Sequence, residues 1–273
     1  MRADDFSYLA RLLRRRAGLI LTQEKATLAM RRLEPVMRRF GFRSLEPLFQ
    51  ELRLDCEGLA DAVIEAMMVN ETCFFRDSHQ FTRLQTHVLP KLMQARARDK
   101  RLRIWSAAAS SGQEVYSLAM MLDGLDLAAR GWQVDLIATD LSGEALARAQ
   151  AGHYTQFELQ RGLSFEDIAR HFRAQESGFT ISPRLKAMVK FRRFNLLDSY
   201  GWLGDLDLIL CRNVLFYFDP ATRTSVLDRM AETLSPDGVL LLGATERVAS
   251  DAYREIEAGF CTPVQPPSLR AVG

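Results

Sequence analysis

Four segments of the sequence combine polar and small residues in patterns that could serve chemistry. The first, Ile104–Glu114, passes from an apolar strand through small residues into a helix. Small side chains let a ligand approach the backbone, and the first turn of a helix offers free N–H groups. Gly112 is its only glycine and GxGxxG is absent, so alone it is a weak indication of nucleotide binding. An equally good interpretation is a tight turn with a capping box formed by Ser111 and Glu114.

The second segment is the end of the next predicted strand, where Asp140 stands. A carboxylate at the carboxyl end of such a strand can accept hydrogen bonds from both hydroxyls of a ribose. The alternative is an ordinary turn or capping aspartate before Ser142.

Two further segments place charged or polar groups beside aromatic residues. The stretch Asn70–Asp77 surrounds two phenylalanines with polar groups, although a hydrophobic staple with a surface arginine would look the same. In Leu210–Asp219 a buried strand emerges into Arg212 and Asn213, and an aromatic cluster follows. Tyr217 of that cluster is either a site residue or a core aromatic whose hydroxyl reaches the edge.

The predicted secondary structure that must position these segments changes along the chain, from helices alone to strands that alternate with helices. Residues 1 to about 75 show only helical spacing of apolar side chains, and Pro35 inside an arginine-rich helix predicts a break or kink. From about residue 102 strands alternate with helices, as in the apolar run Leu206–Cys211. This alternation predicts an α/β fold with a mostly parallel sheet, whose ligands bind outside the carboxyl ends of the strands.

The predicted organisation is therefore a helical domain over 1–75, a linker helix over 76–101 and an α/β domain over 102–273. The stretch 152–187 is too long for a simple connection and predicts a small inserted subdomain. Pro263 predicts an edge strand or a bulge near the C-terminus, and we expect disorder in the last few residues.

Composition narrows the class of protein. The 273 residues carry 36 basic and 34 acidic side chains, a formal charge of +2, which does not favour a nucleic-acid-binding protein. The four cysteines form no CxxC pair and the histidines are scattered, so no metal site is expected. No apolar run approaches the roughly 18 residues of a membrane span, and no signal peptide is evident. We expect a cytoplasmic monomer that does not insert into membranes.

Taken together, the segments resemble the chemotaxis receptor methyltransferases, the CheR family. The match rests on four stretches in family order, NETCFFRD (70–77), WSAAASSGQEVYSLA (105–119), ATDLSGEALARAQAGHY (138–154) and CRNVLFYF (211–218). The resemblance implies a Rossmann-like methyltransferase domain that uses S-adenosylmethionine, preceded by an all-α domain and containing a small inserted subdomain. It also implies methyl esterification of glutamate side chains on the cytoplasmic domain of a methyl-accepting chemoreceptor.

The resemblance carries roles over to individual residues. The residues implied to contact the cofactor are Asn70, Thr72, Arg76, Glu114, Asp140, Asn195, Leu196, Arg212 and Asn213. Among these, Glu114 and Asp140 would hold the amino-acid and ribose portions, and Asn195 with Leu196 would meet the adenine. Arg76 and Tyr217 would lie beside the transferred methyl group.

The acceptor surface is expected on the helical domain. Seven arginines suggest a basic face there: Arg14, Arg15, Arg16, Arg31, Arg32, Arg38 and Arg39. Arg31 and Arg38 are seven residues apart, as are Arg32 and Arg39, so each pair shares a helix face if Pro35 only kinks the helix. Such a face could steer an acidic partner, or simply be a solvated helix surface.

The stretch Phe172–Phe179 is shorter than the glycine-containing loop with which some family members hold a receptor's C-terminal peptide. It therefore favours an enzyme that works without that tether. Two other functions remain open: a methyltransferase of the same fold acting on RNA or a small molecule, and a silent scaffold that senses S-adenosylmethionine. Cofactor binding measured with and without turnover separates them.

Overall fold

The computed structural model describes residues 1–54 and 56–264, which fall into two compact units. One comprises Met1–Val69 with Tyr217–Thr222, and the other Asn70–Phe216 with the chain from Arg223 onward. The division lies after Val69 and not near residue 75, so the Asn70–Asp77 segment belongs to the second unit. Within the described ranges no helix is long and apolar enough to cross a membrane.

The first unit is helical, as its sequence spacing predicts. Its helices are α1 (Ala3–Ala17), α2 (Ala26–Phe40), α3 (Leu45–Arg53) and α4 (Glu57–Met67). Both α1 and α2 end at a glycine with positive φ, Gly18 at 70° and Gly41 at 76°, because the left-handed turn that satisfies the last carbonyls suits a residue without a Cβ. Of the two outcomes predicted for Pro35, a break or a kink, the break is wrong. This proline is exposed and α2 continues through it, so the missing N–H costs a backbone hydrogen bond but does not end the helix.

In the second unit the Asn70–Asp77 segment is followed by the linker, which consists of α5 (Ser78–Arg83), a π-helical turn (Leu84–Val88) and α6 (Leu89–Ala95). Then come, in chain order, β1 (Arg101–Ala107), α7 (Gln113–Gly124), β2 (Gln133–Asp140), α8 (Gly143–Ala151), β3 (His153–Tyr154), α9 (Gln156–Gln160), α10 (Phe165–His171), β4 (Phe172–Gln175), β5 (Gly178–Ile181), α11 (Pro183–Met188), β6 (Val189–Arg193), β7 (Leu206–Cys211), α12 (Pro220–Thr233), β8 (Leu234–Leu242), β9 (Tyr253–Glu257) and β10 (Phe260–Pro263).

The main sheet has the order β6-β2-β1-β7-β8-β10-β9. The first five of these strands run parallel, and β10 is antiparallel to both of its neighbours. Ala107 is level with Thr139 of β2 and with Cys211 of β7, so the carboxyl ends of these strands meet at one edge. The predicted α/β fold class, with a mostly parallel sheet, is confirmed.

The last strands differ in detail from the expectation. β10 is not the edge strand, because β9 lies outside it, and its pairing with β9 shifts in register between Phe260 and Cys261, before Pro263 is reached. Pro263 pairs with Tyr253 at the end of β10. The predicted disorder of the last few residues concerns positions outside the described range.

The stretch between α8 and β6 is a separate small subdomain. It contains a three-stranded antiparallel sheet of order β3-β5-β4. Thr155 with Glu158, and Ser164 with Asp167, form capping boxes at the starts of α9 and α10.

The subdomain contacts the Asn70–Asp77 segment closely at Gly162 and Phe74. A Cβ built on Gly162 would lie 1.9 Å from the Phe74 carbonyl oxygen. The Phe74 ring meets those of Tyr154 and Phe172 edge-on, with centroids 5.1 and 5.6 Å apart. Phe74 is therefore a packing residue between the subdomain and the sheet.

Gly162→Ala should lower the free energy of unfolding by about 1–3 kcal/mol, because the new methyl group must displace backbone and not a flexible side chain. The measurement is urea unfolding followed by circular dichroism. Gly124→Ala is the matched control, since no atom lies within 4 Å of its built Cβ. Equal midpoints for the two variants would contradict the contact.

Candidate functional site

Several of the residues singled out from the sequence lie at one edge of the second unit's sheet. Asp140 is the last residue of β2, and Arg212 and Asn213 directly follow β7. Asn195 lies two residues beyond β6, and the Phe194 N–H donates to the Asp140 carbonyl at 2.9 Å. The sheet topology therefore brings together residues that are far apart in sequence.

The loop from β1 to α7 has an unusual backbone. Ala108 and Ser110 have φ angles of 57° and 51°, and Gly112 has 91°. Left-handed conformations cost non-glycine residues energy and persist only where neighbouring contacts enforce them. Here the Ala109 N–H donates to the Thr139 carbonyl at 2.9 Å, so β2 holds the loop in place.

Asp140 also restrains this loop. Its Oδ2 accepts the Ser110 N–H and its Oδ1 the Ser142 N–H, both at 2.8 Å. The turn interpretation thus describes the contacts in the structure. A carboxylate oxygen can accept more than one hydrogen bond, so binding of a ribose hydroxyl is compatible with these contacts and stays a prediction.

The capping-box interpretation of this loop is wrong. Gly112 is the N-cap of α7 and supplies no side chain, and the Ser111 hydroxyl donates to Gln113 Oε1 at 2.8 Å. The Glu114 carboxylate turns away from the helix end. Its Oε1 accepts the Ser106 hydroxyl at 3.0 Å, and its Oε2 faces the Arg212 guanidinium at 2.9 Å.

The Arg212 side chain is fully buried, with 0% exposure, and connects three parts of the chain. Nε donates to Gln80 Oε1 at 3.1 Å and Nη1 to Glu114 Oε2 at 2.9 Å. Nη2 donates to the Arg76 carbonyl at 2.7 Å and to Asp77 Oδ2 at 2.9 Å. This burial assigns the side chain to holding the site together, and its contact with a cofactor stays a prediction.

The Asn70–Asp77 segment is bonded along its length to the rest of the second unit. Asn70 Nδ2 donates to the Ser142 hydroxyl at 3.2 Å, and its carbonyl accepts from Ser110 Oγ at 2.8 Å. The Phe75 N–H donates to Ser117 Oγ at 2.9 Å. Phe75 itself has a φ of 45°, so its backbone is held in a costly conformation.

The cationic side chain of this segment is half-buried. Arg76 donates from Nη1 to the Glu71 carbonyl at 3.4 Å, while its own carbonyl accepts from the buried arginine. Thr72 is also half-buried. Both side chains are therefore partly accessible, and their contacts with a cofactor stay predictions.

Hydrogen bonds hold the turn that follows β6. Asn195 Oδ1 accepts the Leu197 N–H at 3.0 Å, which closes a tight turn. Leu196 is 6% exposed, and its carbonyl accepts from the Tyr200 hydroxyl at 2.8 Å and from Arg229 at 3.0 Å. The predicted adenine contact is thus a rigid turn at the sheet edge.

Tyr217 belongs to the first unit. It ends a 3-10 turn and is half-buried, and its carbonyl accepts the Ile20 N–H at 2.9 Å. It lines a small cavity together with Leu28 and Val69, which are 46% and 41% exposed. It is therefore not a core aromatic, and a role beside Arg76 stays a prediction.

Sequence patterns did not single out Glu246, which is 6% exposed. Its carboxylate accepts four backbone N–H groups, from Asn213, Val214, Leu215 and Gly243. The sequence feature that could have pointed to this residue is a glutamate three residues after a glycine, just beyond the carboxyl end of β8.

The pKa of the Cys211 thiol is raised well above its usual value by burial, with further contributions from the Glu246 and Glu114 carboxylates. This cysteine remains a neutral thiol at the end of β7. Burial likewise raises the pKa of Tyr154, whose hydroxyl donates to the Ser111 carbonyl at 2.8 Å. Neither group serves as a nucleophile or base at neutral pH.

Residues 70–260 match the CheR methyltransferase SAM binding domain, and residues 4–68 match the CheR methyltransferase all-alpha domain. The chain belongs to the CheR family. This CheR chain is 41% identical to chemotaxis protein methyltransferase 1 of Pseudomonas aeruginosa, over 95% of each chain. Identity is 38% to the methyltransferase Cher2 of Pseudomonas putida over 95% of each chain, and 39% to a chemotaxis protein methyltransferase of Vibrio parahaemolyticus over 89% of each. The resemblance stated from the sequence is confirmed.

The cofactor of this CheR enzyme is S-adenosylmethionine. The groups at the sheet edge fit it chemically. The Asp140 and Glu114 carboxylates are acceptors suited to ribose hydroxyls and an ammonium group, and the small residues between β1 and α7 let a ligand approach the backbone. The family boundary between residues 68 and 70 agrees with the division into units after Val69.

Arg212→Ala should lower the free energy of unfolding by about 3–5 kcal/mol, because it leaves Glu114 and Asp77 without their buried cation. Arg212→Lys should lose less, since it keeps the charge but not the planar fork of donors. Urea unfolding measures both, with exposed Arg98→Ala as a control expected within about 0.5 kcal/mol of wild type. A wild-type midpoint for Arg212→Ala would show that the network contributes nothing.

Proposed function

We propose that this CheR chain transfers the methyl group of S-adenosylmethionine to glutamate side chains of a bacterial chemoreceptor, forming methyl esters for sensory adaptation. The observation that carries the proposal is the 41% identity to a chemotaxis protein methyltransferase over 95% of both chains. Both family domains match in the same chain, so the helical and the cofactor-binding parts support it together.

The chemistry suits the residues at the site. The cofactor supplies a methyl group on a sulfonium, which is a good leaving group. A glutamate with an ordinary pKa of about 4.3 is ionised at pH 7 and needs no general base. No histidine stands among the candidate residues, and the nearby His153 ring faces Thr180 and Ser177 of the inserted subdomain. The remaining task is alignment, which can contribute roughly 7–11 kcal/mol.

Arg76 and Tyr217 are the proposed residues of the acceptor site. The Arg76 guanidinium would orient the glutamate carboxylate by a charge-assisted hydrogen bond. The Tyr217 hydroxyl would donate to the second carboxylate oxygen. The proposed cofactor contacts are Asn70, Thr72, Arg76, Glu114, Asp140, Asn195, Leu196 and Asn213, with Arg212 holding their segments in register.

An acidic helical bundle is the proposed partner of the first unit. A cavity of about 620 Å³ there is lined by Arg11, Arg14 and Arg15 of α1. Its one carboxylate, Asp219, is paired with Arg14 at 3.0 Å. The net positive lining favours an anionic surface.

The arginines of α2 are not equally available for the proposed docking face. Arg31 and Arg38 are exposed and share one face. Arg32 instead donates to the carbonyls of Met67 and Met68 at 2.7 and 3.1 Å, at the C-terminal end of α4. The proposed docking face therefore uses Arg31 and Arg38, and Arg32 is not part of it.

Further proposals concern the setting of the enzyme. We place it in the cytoplasm as a monomer. The 172–179 stretch forms the β4–β5 hairpin, in which Gln175 pairs with Gly178 across a short turn. This short connection supports an enzyme that works without a peptide tether.

The deciding experiment is transfer of a labelled methyl group from S-adenosylmethionine to a purified chemoreceptor signalling domain. Label should be released by base as methanol, because carboxyl esters hydrolyse and N-methyl groups do not. It should disappear when the receptor's target glutamates are replaced by alanine. Cofactor binding without transfer to a cognate receptor would instead favour a different acceptor or a silent scaffold.

Arg76→Ala and Tyr217→Phe should each lower kcat roughly 10–100-fold, because each removes a hydrogen bond to a charged group. The labelled-methyl assay measures the effect, with Arg98→Ala as the matched surface control. Rates within about twofold of wild type, which is under 0.5 kcal/mol, would remove either residue from the reacting centre.

Reversing the charge of Arg11 and Arg15 together, each to glutamate, should raise KM for the receptor several-fold at low salt. The cofactor Kd should not change, and the effect should shrink as ionic strength rises and the Debye length falls to about 8 Å. Arg98→Glu controls for added negative charge elsewhere. A KM that is insensitive to the reversal would place the docking surface on another face.

A further inference from the structure

Glu246 is a buried carboxylate for which neither the sequence pattern nor the proposed chemistry supplies a role. It lies four residues beyond β8, at the edge of the sheet where the strand ends meet. Oε2 accepts the N–H groups of Asn213 and Gly243 at 2.7 and 2.9 Å. Oε1 accepts those of Val214 and Leu215 at 3.1 and 2.9 Å. One side chain therefore satisfies four backbone donors.

The three consecutive donors belong to the loop that leaves β7. Successive N–H groups converge on one anion when the backbone forms a concave nest, for example through a residue in the left-handed conformation. Asn213 is that residue, with a φ of 59°. Its conformation is costly for a side chain with a Cβ, and the bonds to the carboxylate offset the cost.

Gly243 shows how tightly this arrangement is enclosed. A Cβ at Gly243 would lie 2.7 Å from Glu246 Oε2 and 2.9 Å from Asn213 Nδ2. The carboxylate and the loop thus fit together without room for a side chain at this glycine.

The loop leads directly to residues that the proposed function uses. Asn213 belongs to the proposed cofactor contacts, and Leu215 begins the 3-10 turn that ends at Tyr217. A change in the direction in which the chain leaves β7 would therefore displace both residues.

We propose that Glu246 is a positioning residue of the methyl-transfer reaction. It sets the backbone of Asn213–Leu215 and, through the 3-10 turn, the direction of Tyr217. This inference rests on the proposed function, since it assigns the effect to the orientation of residues that serve transfer.

Glu246→Gln is the informative substitution. It keeps the size of the side chain but replaces one carboxylate oxygen with an NH2 group, which donates hydrogen bonds and cannot accept from the two N–H groups that face it. The expected result is a fall in kcat of at least tenfold, with KM for the receptor within about threefold of wild type. Glu246→Asp keeps the carboxylate and should restore part of kcat, and it serves as the test if the glutamine variant does not fold. Exposed Glu232→Gln on α12 is the matched control.

A double-mutant cycle with Tyr217→Phe separates positioning from a general loss of structure. If Glu246 acts through Tyr217, the glutamine substitution should cost much less in the phenylalanine background than alone. Full additivity, or a wild-type kcat for Glu246→Gln, would overturn the proposal.

Amide hydrogen exchange gives a readout that does not depend on the acceptor. Exchange at residues 213–217 should be faster in Glu246→Gln, with the remaining strands of the sheet unchanged. Unchanged exchange in this loop would refute the inference even if the wild type methylates its receptor. Faster exchange in an enzyme that fails to methylate any receptor would retain the nest and refute the proposed function.

Discussion

The burial of a single guanidinium constrains the candidate site more than any other interaction. An arginine with no exposure must have its charge paired and its donors satisfied, because an unpaired ion in the interior is very costly. The side chain of Arg212 meets this requirement with Glu114, Asp77, Gln80 and the Arg76 carbonyl. These partners come from the linker, from the segment before it and from the first turn of α7. The planar fork of donors thus ties the three segments to one another.

Backbone strain is concentrated around the same strand ends. Phe75, Asp77, Ala108, Ser110 and Asn213 all have positive φ without being glycine. Each belongs to a segment tied down by side-chain or backbone hydrogen bonds. The helix ends of the first unit, by contrast, use glycine for the same backbone region. The second unit therefore has non-glycine residues at positions where glycine would be easier, and the surrounding bonds hold them there.

The fold was largely predictable because it depends on local periodicity. Apolar runs such as Leu206–Cys211 mark buried parallel strands, and the length of 152–187 indicates an insertion. Whether Pro35 breaks α2 or lets it continue was left open, because this depends on whether its face of α2 meets solvent or protein, which spacing alone does not show. The roles of the candidate residues were even harder to predict from the sequence. Glu114 has the spacing of a capping box, and only the buried arginine almost 100 residues later shows where its carboxylate goes.

The role of Glu246 could not be predicted from the sequence. Its partners are backbone N–H groups, and every residue but proline carries one, so no pattern of residue types points to them. The division after Val69 was missed for a related reason. The Asn70–Asp77 segment has no periodicity of its own, and its hydrogen bonds to Ser117 and Ser142 assign it to the second unit.

The chain separation of the Arg212 contacts has a consequence for biosynthesis. Asp77 and Glu114 emerge from the ribosome 135 and 98 residues before the cation that pairs with them. Glu246 follows another 34 residues after Arg212. Until then the segment at Asp77 and the loop at Asn213 lack these bonds, and contacts over such sequence distances form slowly. The cofactor-binding edge is thus among the last parts of a nascent chain to become competent, well after helices α1 to α4 have been synthesised.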